Sequence, residues 1–265
     1  MDTIIYSYDN LNKKLKELNH IDHQKRSVGN NFTTSLDIRN MSKNAYPNIL
    51  PLEHSLVRLN DSTSPYINAN FISTAAQLYI GTQAPLENTI DDFWNMIWQT
   101  DSRMIINLTE TADYLVDKSI YGNLYVEYLD VKEFHDTSLK VLKLVNQQNF
   151  NTKTIYYIHY PEWEDNMVPD RTSFANLIKV VNMTEELAKM SEKTPIVVHC
   201  KAGIGRTGVF IAIHSELKII PKENKLDIVR TVSKMREYRS RLVHTLDQFM
   251  FCQNFLIDSI VQKRT

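Results

Sequence analysis

The 265-residue sequence predicts an α/β fold. Three observations carry this. Short β-rich runs alternate with segments of helical apolar spacing through the first two thirds. Helical segments dominate the last third. A short apolar strand at 195–199 runs through a glycine turn straight into an apolar helix. Large mixed folds often exceed the commonest domain size as one unit, so a single domain spanning 1–265 is expected. Hydrophobic residues make up 43%, enough for a sizeable core.

The elements are read in chain order. Residues 10–26 place Leu11, Leu15 and Leu18 at helical spacing in a polar stretch, giving a surface amphipathic helix within an N-terminal segment 1–34. Residues 57–72 and 78–81 read as strands around a turn-rich 61–65. Phe93, Trp94, Ile97 and Trp98 mark a buried helix over 90–99. A strand follows at 104–108. Alternation over 121–131 and 138–145 predicts an antiparallel pair, and 154–160 is another β-rich run. Helices are expected over 174–190, 209–218, 225–238 and 246–261.

Net charge is −1, whereas a dedicated nucleic-acid binder is usually basic, so no nucleic-acid partner is expected. Two cysteines, Cys200 and Cys252, are not a disulfide framework in a chain this long. No basic stretch followed by an apolar run opens the chain, so no signal peptide is read. Apolar runs such as 209–213 are too short to span a bilayer, so no integral membrane segment is expected. A reducing, cytoplasmic setting fits a reactive thiol. The His, Asp and Glu residues show no metal-ligand spacing such as H-E-x-x-H, so neither metal nor other cofactor is expected.

Six glycines occur in the chain, and three of them, Gly203, Gly205 and Gly208, lie within six residues. They belong to the run His199-Cys-Lys-Ala-Gly-Ile-Gly-Arg-Thr-Gly208. A strand ending at Cys200, a glycine loop and a helix beginning near Thr207 make an anion nest. The amides of Lys201, Ala202, Gly203, Ile204, Gly205 and Arg206 turn inward, and the helix N-terminus adds positive charge. The planar fork of Arg206 suits two phosphate oxygens. A thiol at a helix N-terminus beside a cation loses its proton more readily than free cysteine, and the thiolate is a nucleophile. Cys200 is therefore the candidate nucleophile. Thr207 can donate to its sulfur, and His199 orders the loop. A Walker-type phosphate loop needs Gly-Lys-[Ser/Thr], which is absent here.

The run resembles the protein tyrosine phosphatase signature, His-Cys-x-Ala-Gly-x-x-Arg-[Ser/Thr]-Gly. The resemblance extends in order over roughly 35–255. It implies a twisted mixed β-sheet flanked by helices, with the nucleophile loop at a strand's C-terminal end. It also implies phosphotyrosine-containing proteins as substrates. The family's general acid lies on a Trp-Pro-Asp loop; here Trp163-Glu-Asp165 supplies Asp165, with Glu164 in place of the proline. Lys43-Asn-Ala-Tyr-Pro-Asn48 resembles the recognition loop, so Tyr46 is expected to stack on the substrate ring and set pocket depth. Ala45 and Asn48 depart from the family's residues there, and Pro65 replaces the usual acidic first residue of the next matching block, 65–72.

By the same resemblance, Asp113 falls where a carboxylate orients the arginine, and Lys118 where a lysine stands near the acid loop. Arg239 matches a structural arginine. Gln248 matches a residue that positions water, His244 replaces the usual first glutamine, and Arg241 replaces a smaller residue. Two alternatives remain open. The departures suit a phosphotyrosine-binding trap without turnover, and Lys201 suits dual-specificity or phosphoinositide substrates. A stand-alone monomeric enzyme is expected, working in the host cytoplasm if virus-encoded.

Overall fold

The computed structural model describes residues 2–60 and 64–262. Most of the turn expected at 61–65 lies outside the described residues. A short strand β1 (Asp2–Thr3) precedes helix α1 (Tyr8–Ser27), whose N-cap Ser7 accepts from the Asn10 amide. Leu11, Leu15 and Leu18 are its buried face, as the spacing predicts. Then come β2 (Leu56–Arg58), β3 (Tyr66–Ser73), β4 (Leu78–Gln83), helix α2 (Ile90–Gln99) and β5 (Met104–Asn107).

The run at 121–131 is broken where the sequence reading was continuous. Gly122 adopts φ +56° and separates β6 (Ser119–Tyr121) from β7 (Leu124–Glu133). β7 pairs antiparallel with β8 (Ser138–Asn146), and β8 with β9 (Thr152–His159). Helix α3 (Arg171–Ala188) starts at Asp170, whose side chain accepts from the Thr172 and Ser173 amides. β10 (Ile196–Cys200) feeds helix α4 (Gly205–Glu223), which begins early enough to carry Arg206 in its first turn. The helix expected over 225–238 starts later. Residues Lys225–Leu226 form β11 against β1, and Asp227 then caps α5 (Ile228–Tyr238). Helix α6 (Leu246–Gln262) closes the described chain.

Nine strands form the main sheet, ordered β2-β3-β4-β10-β5-β9-β8-β7-β6 among the described residues. β4, β10, β5 and β9 run parallel, and the outer strands on both sides are antiparallel. β10 is thus an inner strand covered on both faces, in keeping with a composition apolar but for His199. Ile196, Val198 and Cys200 face a core shared with α1 and α3 to α6. Val197 faces a second core under α2 with Phe93 and Trp94. No helix among the described residues is long and apolar enough to cross a membrane.

Candidate active site

Cys200 ends β10 opposite Gln83 of β4 and is buried. The chain then turns through residues 201–204. Its carbonyls all find donors outside the loop. Lys201 accepts from the Ala84 amide at 3.3 Å, and Ile204 from the Gly208 and Val243 amides at 3.1 Å each. Ala202 and Gly203 accept from Arg239 at 3.2 and 2.8 Å. In a trans peptide the N–H points opposite to the carbonyl, so carbonyls turned outward leave the loop amides facing the concavity. Gly203 sits at φ +70°, and a Cβ there would lie 2.3 Å from the Thr82 carbonyl oxygen. Only glycine fits both constraints.

Arg239 is wholly buried, and burial presses its guanidinium down to about 10. Its fork also donates to Asn70 and Asn68 at 2.9 Å each. Asn68 in turn donates to the Ile49 carbonyl and to Asn44 Oδ1. Gln83 adds a second anchor, accepting from the Ala45 amide at 3.0 Å and donating to the Lys43 carbonyl at 2.9 Å. These bonds hold the turn that presents the half-exposed Tyr46.

Arg206 is 1% exposed, at the start of α4. Its Nη1 donates to the Trp163 carbonyl at 2.5 Å and to Glu110 Oε1 at 3.0 Å. Its Nη2 reaches Asp165 Oδ1 at 3.3 Å. The arginine's second carboxylate is therefore Glu110, not Asp113. Asn107 at the end of β5 closes a tight turn by bonding Thr109 and the Thr111 carbonyl, which returns Glu110 toward Arg206. Asp113 lies beyond that turn and is exposed. Burial alone would raise the Glu110 carboxyl; its own backbone amide, Arg206 and Lys201 outweigh this and hold it below the usual range. Lys118 is exposed in a left-handed turn at φ +55° before β6, with no hydrogen bond or ion pair to the acid loop.

His199 points to the opposite face from Cys200. Its Nε2 shares a 2.6 Å hydrogen bond with the Tyr114 hydroxyl, and Phe93 packs edge-on against it. Burial, with help from His159 and Arg206, drives its pKa down to about 3. A ring this strongly held neutral ties the strand that ends at Cys200 to the segment that follows the Glu110 turn. The Thr207 hydroxyl and Arg206 Nε are buried with no protein partner.

The loop carrying Asp165 is fastened at a second place. Trp163 is buried and donates from Nε1 to the Met167 carbonyl at 2.9 Å. Gln248 Nε2 donates to the same carbonyl at 3.4 Å, while its Oε1 accepts from the His244 and Thr245 amides at 3.0 and 3.3 Å. Gln248, expected to hold water, thus has both ends of its amide engaged with protein. Sequence reasoning missed Glu110 and Asn68. The Asn107-x-Thr109 pattern that makes an Asx turn was the available signal for the first.

The protein-tyrosine phosphatase family model matches residues 40–258. The chain belongs to this family. It is 33% identical over 237 residues to the receptor-type tyrosine-protein phosphatase eta of Gallus gallus, covering 83% of this chain but 17% of that protein. It is 31% identical to the receptor-type tyrosine-protein phosphatase V of Rattus norvegicus, covering 84% of this chain and 14% of that protein. The chain therefore spans a small part of these receptor-type relatives. To the protein-tyrosine-phosphatase PTP1 of Arabidopsis thaliana it is 32% identical over 256 residues, covering 87% of this chain and 74% of that protein.

Within this tyrosine phosphatase fold the departures have definite places. Glu164 is exposed on the acid loop, and its carbonyl accepts from the Met167 amide at 3.3 Å. Arg241 takes φ +65°, and its amide donates to Asp22 Oδ2 at 2.8 Å. His244 is half-buried beside Gln248, with Nδ1 buried and unpartnered. Burial, then Arg241 and Arg236, lower its pKa, so the neutral ring predominates at neutral pH.

Proposed function

We propose that this chain hydrolyses phosphotyrosine in proteins through a phosphocysteine intermediate. The observation that carries the reading is the convergence on Arg206. This guanidinium stands six residues after Cys200, beside a cradle of inward amides, and it contacts the acid-loop carboxylate Asp165 directly. Charge that develops on the equatorial phosphate oxygens meets the loop amides and Arg206. The Cys200 thiolate attacks phosphorus as the bond to the tyrosyl oxygen breaks. Asp165 gives its proton to that oxygen. Water then attacks the phosphocysteine with Asp165 as base, releasing phosphate and restoring the thiolate. Thr207, with its unpaired hydroxyl, donates to the leaving sulfur. Tyr46 stacks on the substrate ring and sets the depth that admits phosphotyrosine. The enzyme acts as a monomeric catalytic domain in the cytoplasm.

A second reading, a phosphotyrosine trap with slow turnover, draws support from Gln248, whose amide is engaged by protein at both ends. Hydrolysis of p-nitrophenyl phosphate and of a phosphotyrosine peptide, with reductant and EDTA present, separates the two. Vanadate-sensitive release of phosphate, lost in Cys200→Ser with peptide binding retained, is expected. Peptide binding without phosphate release by the unmutated protein establishes the trap. Faster turnover of a phosphothreonine peptide or a phosphoinositide overturns the substrate assignment.

A further inference from the structure

Away from the cradle, helices α4 and α5 and the turn after β3 enclose a cavity of about 350 Å³. Volumes of this size hold small organic ligands. Its apolar wall includes Ile219, Met235, Tyr238 and Ala75. Its deepest polar group is Glu216, which is 3% exposed although it carries a carboxyl. One Glu216 oxygen, Oε1, accepts from the Thr231 hydroxyl. Oε2 has no hydrogen bond or ion pair among the described residues.

The charges around Glu216 are unbalanced. The cavity lining carries four carboxyl groups, Glu216, Glu223, Asp227 and Glu237, against three cations, Lys225, Arg230 and Lys234. Asp227 and Glu223 oppose ionisation of Glu216, while the Thr231 hydrogen bond and Arg230 favour it. Asp227 is itself engaged by the Tyr6 hydroxyl at 3.1 Å and by the Arg230 amide. Burial is the largest cause of the opposition and, with Asp227 and Glu223, lifts the carboxyl to about 7. A buried carboxyl that opens on a cavity, with one oxygen unbonded and more carboxyl groups than cations in the lining, suits a cation that can approach that oxygen. The apolar wall beside it calls for a cation that carries a hydrocarbon body.

We propose that this cavity binds a small primary amine with an apolar body, its ammonium on Glu216 Oε2 and its hydrocarbon against Ile219, Met235 and Tyr238. The site is separate from the phosphate cradle. Glu216 lies ten residues after Arg206 on α4, about 15 Å along the helix. The proposal does not rest on the phosphatase reading.

The test compares phenethylamine with 2-phenylethanol and phenylacetate at pH 8, titrated into the ¹⁵N-labelled chain. The amine is expected to shift the amides of Ile219, Thr231 and Tyr238 saturably, with the alcohol and acid at least about tenfold weaker. Glu216→Gln keeps the shape and the Thr231 hydrogen bond, and should weaken the amine by about tenfold or more. Ala75→Tyr fills the mouth from an exposed turn and should also abolish binding. Equal binding of the three probes overturns the proposal, as does amine affinity unchanged in Glu216→Gln, or shifts confined to the surroundings of Tyr46. The three-probe comparison on the unmutated chain decides the matter even if a variant fails to fold.

Discussion

Arg239 Nε donates to the Gly203 carbonyl at 2.8 Å, and the same side chain reaches Asn68, which holds the recognition turn. One buried guanidinium thus fixes both the phosphate cradle and the turn bearing Tyr46. Lysine keeps the charge but has no fork and cannot serve four acceptors at once. Arg239→Lys should lower stability by about 2–4 kcal/mol and reduce kcat/KM by about a hundredfold or more. Urea denaturation and peptide hydrolysis measure the two. A variant of ordinary stability and activity contradicts this role.

Glu110 and Asp113 make a paired test of how Arg206 is oriented. Glu110→Gln turns a charge-assisted hydrogen bond of 3.0 Å into one with a neutral acceptor and should lower kcat/KM by about ten- to a hundredfold. Asp113→Asn should change it by less than about twofold, because Asp113 is exposed beyond the turn. The reverse order of effects restores the sequence-based assignment.

His244 concerns the second chemical step. Its ring is neutral near pH 7 and Nδ1 has no protein partner. With Gln248 Oε1 taken by two backbone amides and one Nε2 hydrogen on the Met167 carbonyl, only the second Nε2 hydrogen is left to orient water, so phosphocysteine should accumulate and rapid mixing should show an initial burst. His244→Gln should shrink the burst and raise steady-state kcat severalfold. A chain with no burst, and a variant that gains nothing, count against slow hydrolysis.

Stability should fall as pH rises from about 4.5 to 7, through Glu216. Its folded-state pKa, about 7, lies above the usual 4.5, so the folded chain holds this proton more tightly than the unfolded one. The contribution is fully present below pH 4.5 and lost as pH passes 7. It amounts to at most about 3 kcal/mol. Glu216→Gln should flatten this part of the stability curve in urea titrations between pH 5 and 8; an unchanged slope rules Glu216 out as its source.

The nucleophile loop was legible because its chemistry is contiguous: strand, Cys200, glycines, Arg206 and helix follow one another along the chain. Helix α1 was legible from one apolar stripe, Leu11, Leu15 and Leu18. Contacts between distant segments were not. Glu110 replaces Asp113 because an Asx turn, not sequence distance, decides which carboxylate returns to Arg206. The engagement of Gln248 depends on Met167, a residue with no pattern of its own, meeting it from another loop. Residues 225–226 pair as a strand only because residues 2–3 arrive beside them. Local propensity carries no record of such a neighbour.

The place of β10 has a consequence for how long the site survives. Amides of an inner strand exchange with solvent only when the surrounding structure opens as a whole. The peptide groups leading into Cys200 should therefore be among the last to take up deuterium, while those of residues 163–169 exchange early. Cys200 thus ends the strand expected to open last, whereas residues 164–168 of the loop carrying Asp165 are exposed. On the proposed mechanism, heat and denaturant should end turnover by releasing the loop carrying Asp165 before they disturb the strand that ends at Cys200.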